Sequence, residues 1–265
     1  MNDPNLHPIM DIGVNLMHRS FHQDREQVVQ RAIEQGVTPL IITGTSVRSS
    51  VEAARYASQY PGKLYATAGV HPHDAKSCTN ETIAKLGDLA ETPQIVAIGE
   101  CGLDYNRDFS PRDVQRKWFA EQIQLAKELN MPLFLHERDA FTDFITILKQ
   151  HSVSKAVVHC FTGTQSELKA YLDMGFHIGI TGWICDERRG RHLQALVRMI
   201  PLNRLMIETD APFLTPRDLK EKLADGRNEP SILPHILHTV ARCIGRPVEE
   251  VAEATTETTK AFFRI

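Results

Sequence analysis

The sequence predicts a closed (β/α)8 TIM barrel of the α/β class, spanning residues 1–265 as a single domain. Three observations carry this. Eight short apolar runs alternate with amphipathic stretches along the chain. Most of these runs are apolar on both faces, as buried parallel strands are and open antiparallel sheets are not. The 265 residues also match the roughly 250 that such a barrel commonly needs, with no linker rich in Pro, Gly or Ser to divide them.

The expected strands are "IMDIGVN", "PLIITGT", "LYATAGVHPH", "QIVAIGECGLD", "PLFLHER", "KAVVHCFTG", "FHIGITGWI" and "LMIETDAPFL". In the first, Asp11, Gly13 and Asn15 share one face, and Ile12 and Val14 take the other. The stripe Val28, Val29, Ala32, Ile33 then predicts a helix that stops at Gly36. After the fourth strand, Ser110 fits an N-cap before Pro111, and Trp118, Phe119, Ile123, Ala126 and Leu129 form a longer helical stripe. Phe141 and Phe144 have helical spacing and belong to the core, and Gly175 ends the helix before the seventh strand. An open doubly wound sheet would carry a Gly-rich nucleotide loop after its first strand, where "GVNLMHRS" stands instead.

The composition is globular, with 42% hydrophobic and 24% charged residues. A formal charge of −3 excludes a global basic field for nucleic acid, leaving a local basic groove or phosphate binding through metal. Cys78, Cys101, Cys160, Cys185 and Cys243 show no zinc-knuckle spacing and read as reduced thiols of a cytoplasmic protein. The start, "MNDPNLHPIMD", lacks the basic and apolar regions of a signal peptide. No stretch approaches the roughly 18 apolar residues of a membrane span.

Active sites of such barrels lie at the C-terminal ends of the strands, and chemistry-bearing residues fall there repeatedly. His71 and His73 end the third strand, Glu100 lies on the fourth, His136 ends the fifth, His159 the sixth and Asp210 the eighth. This mixed imidazole and carboxylate set suits zinc, manganese, iron or, less ideally, magnesium. Each histidine also has a structural reading, because a histidine closing an apolar run is buried and hydrogen-bonded whatever its function. Glu100 and Asp210 are harder to dismiss, since ionised carboxylates near a core are costly unless paired or metal-bound. Arg138 shares the face of His136 and could meet a phosphate or a carboxylate. In "RNEP", Arg227 and Glu229 read as substrate contacts or as a solvated turn. "DERRG" could add a positive lip after the seventh strand, and Lys220 and Lys222 belong to solvent. Cys101 and Cys160 have the opposite parity to their neighbours Glu100 and His159, which argues against nucleophilic roles.

In order along the chain, "GVHPH", "IGECGLDYNR", "FLHERDA", "VVHCFTGT", "GITGWICDERRG", "IETDAPFL" and "RNEP" resemble the TatD-type metal-dependent deoxyribonucleases. The resemblance covers nearly the whole chain and is nearest the bacterial TatD branch. It implies a barrel related to the amidohydrolases and metal-dependent hydrolysis of phosphodiester bonds. For that branch it implies magnesium-dependent 3′-to-5′ exonuclease activity on single-stranded DNA and RNA, in a setting of oxidative DNA repair. By the same resemblance, Glu100, His136 and His159 are metal ligands, and Asp210 binds metal or orients the attacking water. His71 and His73 lie on the substrate side, with weaker substrate contacts at Asn15, Arg138, Arg227 and Glu229.

The divalent ion is expected to be Mg2+, with Mn2+ and Zn2+ as alternatives, and the chain to be a monomer. The first strand departs from the Asp-x-His-x-His pattern of many relatives: its positions read Asp11, Gly13 and Asn15. Glycine cannot ligate, and asparagine offers only a weak neutral oxygen. One firm metal position is therefore expected, with a second that is weak, transient or filled only with substrate, and Gly13 should leave an open space. Two other classes compete. A small-molecule hydrolase of the amidohydrolase type often bridges its metals with a carboxylated lysine, where this chain has Glu100. A non-catalytic nucleic-acid-binding derivative would not need Glu100, His136, His159 and Asp210 together.

Overall fold

A computed structural model describes residues 8–220 and 226–265; the N-terminal stretch and Lys222 lie outside the described residues. The strands are β1 (Ile9–Val14), β2 (Val37–Ile42), β3 (Leu64–Ala68), β4 (Ile95–Asp104), β5 (Leu133–Arg138), β6 (Ala156–Val158), β7 (His177–Ile180) and β8 (Leu205–Ile207). All neighbouring pairs are parallel and follow chain order from β1 to β8. Helices α1 (Arg25–Glu34), α2 (Val47–Ala57), α3 (Asn80–Ala90), α4 (Arg112–Glu128), α5 (Phe141–Gln150), α6 (Gln165–Asp173), α7 (Arg191–Leu196), α8 (Leu233–Ile244) and α9 (Val248–Phe263) surround the sheet.

The ring is nearly closed, and its seam is of a different kind from the other joints. At the C-terminal ends of β1 and β8, Asp210 N donates to Gly13 O at 2.9 Å and Asn15 N to Ala211 O at 2.7 Å. Deeper in the seam, the buried Asp11 carboxylate accepts from Thr209 N and from the Thr209 hydroxyl. A side chain thus supplies rungs that the backbone does not. Strand β1 also fails to alternate strictly, because its pairing with β2 shifts register on both sides of Asp11. Ile12 packs with Phe134, while Val14 joins the cluster under the helices and Gly13 faces Glu208.

Ile12, Ile41, Ala97, Phe134, Val157 and Met206 come from six strands yet form one cluster, so they fill the barrel interior. Phe262 and Phe263 of α9 join it. The Phe134 ring stacks on His159 at 4.6 Å, which makes the apolar interior the floor of the strand-end cavity.

Two local expectations change. Helix α4 begins at Arg112 with Pro111 at the cap position, and Ser110 does not cap it. The Ser110 hydroxyl instead donates to His73 O and accepts from Lys76 N, fixing the turn that follows β3. That strand ends at Ala68, and His71 caps a short 3-10 turn over Pro72–Ser77. Gly36 and Gly175 do follow α1 and α6 with φ of +74° and +78°, the left-handed geometry that ends a helix. Among the described residues no helix is long and apolar enough to cross a membrane.

Candidate active site

The C-terminal strand ends enclose a cavity of about 460 Å³ lined by Asn15, His71, His73, Glu100, Asp104, His136, Arg138, His159 and Asp210, among others. Its centre is one oxygen atom. Glu100 Oε1 lies 2.8 Å from His159 Nε2, 3.0 Å from His136 Nδ1 and 3.3 Å from His71 Nε2. Burial alone would raise the Glu100 carboxyl, but the His159 and His71 imidazoles and hydrogen bonds from His136 and His159 outweigh it and hold it well below its usual range. Burial disfavours the charged form of His159 too, yet Glu100 and Glu208 raise it well above an ordinary histidine.

The ring hydrogen bonds separate the histidines by role. His71 Nδ1 accepts from His73 N, so its neutral ring carries the proton on Nε2 and presents a donor there. Burial lowers its pKa and favours that neutral form. His159 Nδ1 lies 3.4 Å from Glu208 Oε2 and its Nε2 2.8 Å from Glu100 Oε1, so as an imidazolium it donates to both carboxylates. His136 sits between Glu100 at Nδ1 and Asp104 Oδ2, which is 3.4 Å from Nε2. That buried Nε2 has no well-aligned hydrogen bond. His73 Nε2 is 2.8 Å from Asp104 Oδ2, and this carboxyl is held low, its burial outweighed by the nearby His136 imidazole, the His73 hydrogen bond and the Arg107 backbone N–H.

Asp210 adopts a positive φ of 55° just past β8. Its Oδ1 accepts from Asn15 Nδ2 at 2.9 Å. Burial is the main cause that pushes its carboxyl up to about 7; Glu100 and Glu208 add to this, and His159 opposes it. Arg138 ends β5 on the cavity wall, as its shared face with His136 predicts. Cys101 is fully buried; Cys160 does line the cavity, but burial and the charge of Asp210 push its thiol well above the ordinary range. It is therefore a poor nucleophile.

Arg227 and Glu229 do not line this cavity. The Arg227 guanidinium bonds Asp24 at 2.8 and 2.7 Å, and Glu229 accepts from Arg31 at 2.6 Å. "RNEP" thus grips α1 and its approach. Between the two ion pairs, buried Asn228 donates to Thr209 O and Phe213 O and holds the loop after β8.

Glu208 and Asp104 are the members that sequence reasoning missed. Glu208 is fully buried, and its Oε1 accepts from Cys160 N. It fills the space expected to lie open beside Gly13. A Cβ at Gly13 would come within 2.3 Å of Glu208 Oε2, and one at Gly179 within 2.7 Å of Oε1. The carboxylate is cradled between two glycines on β1 and β7. The signal was present in the sequence, because Glu208 has the parity of Asp210, and Asp104 that of Glu100.

Two groups of side chains among the described residues could hold a divalent cation. One is His71, Glu100 and His136; the other is Cys185, Asp218 and His235, outside the cavity, each with ligating atoms within 4.8 Å of one another. Glu100 and His136 of the first group, with His159 beside them, fit such an ion. Three imidazole nitrogens converge on one carboxylate oxygen, which cannot serve all three as a hydrogen-bond acceptor with good geometry, and a cation would supply the charge that protonated His159 otherwise provides. In the second, His235 and Asp218 already form a 2.6 Å pair.

Residues 10–264 match the family model described as TatD related DNase. A protein of Rahnella sp. named 3′-5′ ssDNA/RNA exonuclease TatD is 48% identical over 259 residues, covering 97% of this chain and 98% of that one. The protein of that name from Erwinia amylovora is 50% identical over 257 residues, covering 96% and 99%. Among solved structures, YjjV, a TatD homologue from Escherichia coli K12, has a TM-score of 0.90 at 26% identity over 97% of this chain and 98% of its own. A phosphotriesterase homology protein from Escherichia coli, at 16% identity and a TM-score of 0.69 over 97% of this chain and 98% of its own, shares the fold. The chain belongs to the TatD-related DNase family and is a metal-dependent nuclease.

Proposed function

We propose that this protein is a 3′-to-5′ exonuclease of single-stranded DNA and RNA, acting as a monomer in the cytoplasm, with Mg2+ as its ion and Mn2+ or Zn2+ as alternatives. The observation that carries the reading is the convergence of three imidazole nitrogens on Glu100 Oε1 beneath a rim that bears Arg138. The activity is that named for relatives 48–50% identical to this chain. The five free cysteines are consistent with a reducing compartment.

Glu100, His136 and His159 hold the ion. When bound, it polarises a phosphoryl oxygen and lowers the pKa of water. Asp210 takes the proton of the attacking water at Oδ2, because Asn15 occupies Oδ1 and fixes the carboxylate's direction. Burial raises this carboxyl, which favours its taking up a proton. His71 offers its Nε2 proton to the phosphoryl oxygens, and His73, anchored on Asp104, lines the same wall. Arg138 holds a neighbouring phosphate. Glu208 positions His159 through Nδ1, the part carboxylates play behind metal-binding histidines.

The test is the product pattern from a single-stranded oligonucleotide labelled at its 5′ end. Under single-hit conditions a descending ladder is expected with Mg2+ and none with excess chelator. Internal fragments, or hydrolysis that survives chelation, would overturn the reading.

A further inference from the structure

Two exposed aromatic rings adjoin the cavity, Phe213 among its lining residues and Phe109 against the lining His73. Among the described residues five large hydrophobic side chains are exposed, and only two are aromatic: Phe109, 55% exposed, and Phe213, 48% exposed. Single exposed apolar residues are common on any protein. These two differ in where they sit and how they are held. Phe109 meets the His73 ring edge-on at 4.7 Å, and Phe213 lines the cavity and meets His18 at 5.4 Å. Phe109 follows β4 and Phe213 follows β8, which lie half a barrel apart in an eight-strand ring. They therefore belong to loops on opposite sides of the ring.

Both are fixed through their backbones, so their rings stay free to bind. Phe213 N donates to Asp210 O, and buried Asn228 donates to Phe213 O at 2.7 Å. Phe109 O accepts from Lys76 Nζ at 2.9 Å, and the next residue, Ser110, is tied to His73 O. The walls also differ in charge. Arg107, on the loop that carries Phe109, and Arg138, at the end of neighbouring β5, both line the cavity. Among the described residues neither guanidinium is paired with a carboxylate.

We infer that Phe109 and Phe213 are base-stacking platforms for the two nucleotides on either side of the scissile phosphodiester. Phe213 takes the 3′-terminal base. Phe109 takes the penultimate one, whose 5′ phosphates continue past Arg107 and Arg138. This deepens the nuclease reading and rests on it. It also gives single-strand preference a physical cause. An unpaired base can swing onto a ring, whereas a base in a duplex must first leave its stack. Stacking accepts any base, because every base has a flat π face, so the preference is for strandedness and not for sequence.

The experiment uses the full-length, metal-loaded protein and its Phe109→Leu and Phe213→Leu variants, with Phe→Trp at each position as the conservative control. On a single-stranded oligonucleotide each Leu variant should raise KM about 5- to 100-fold, with the Trp variants near the parent. The penalty of Phe213→Leu should vanish on a substrate abasic at its 3′ end, and that of Phe109→Leu on one abasic at the penultimate position. Binding is read separately, by quenching of 2-aminopurine at either position of a phosphorothioate analogue that resists cleavage. Unchanged KM in the Leu variants, or penalties indifferent to where the abasic residue lies, would overturn the inference and leave the nuclease reading intact. Parent protein that quenches both probes, with quenching lost in the Leu variants, yet degrades no oligonucleotide would do the reverse.

Discussion

Histidines occupy both ends of this barrel, and the two ends treat them in opposite ways. At the C-terminal end His159 is buried against Glu100 and Glu208, and its proton is held far more tightly than usual. At the N-terminal end His177, the first residue of β7, packs on Phe262 at 4.6 Å and among the described residues has no carboxylate partner. Burial, with Arg204 and Lys155 nearby, lowers it to about 4, and its Nδ1 makes no hydrogen bond. Burial by itself therefore gives a neutral, inert imidazole. Chemistry appears only where the strands also deliver acids to the same volume, and here they do so at one end alone.

The sharpest way to break this contrast is to remove the central acid. Glu100→Ala should lower turnover on labelled oligonucleotide by at least about 10³-fold, while thermal melting stays cooperative. Near-parental turnover in carefully purified protein would reduce the acid-bearing end to the status of the other. Glu208→Gln keeps the shape but loses the charge beside His159, and is expected to cost about 10- to 100-fold in activity or metal affinity. Isothermal titration with Mn2+ would separate those two losses.

A smaller effect concerns the seam. Burial raises the Asp11 carboxyl from 3.8 to about 8, opposed by hydrogen bonds from Thr209 and Gly13. The folded protein then keeps a proton that the unfolded chain gives up above 3.8. Stability from this group is fullest below 3.8 and is lost as pH climbs to about 8, with a slope of at most about 1.4 kcal/mol per pH unit. Denaturant melts across that range should show the decline, and Asp11→Asn should flatten it. The smallest effect belongs to the other end: His177→Gln should leave kcat/KM within about twofold of the parent, as expected for a residue that touches no reacting group.

How much of this could be read from the sequence depended on where each signal lay. The alternation of apolar runs and stripes is local, so the barrel and its helices were legible. Strand limits were not. "KAVVHCFTG" and "LMIETDAPFL" contribute only three ladder residues each. The chain beyond Ile207 turns away to close the ring through Asp210, Ala211 and Thr209. Glu100, His136, His159 and Asp210 stood out because polar atoms ending apolar runs are costly. Glu208 hid in the same motif, and only strict use of parity would have exposed it. The ion pairs of Arg227 and Glu229 were not legible because their partners, Asp24 and Arg31, lie about two hundred positions away in the chain.

The cradle around Glu208 constrains how this lineage can change. Positions 13 and 208 reach into one volume from different strands, and a side chain at the first is incompatible with the carboxylate of the second. A side chain at position 13 needs residue 208 to shorten or turn away. The glycine on the first strand thus gives the acid its place, and anything larger there requires the acid to move.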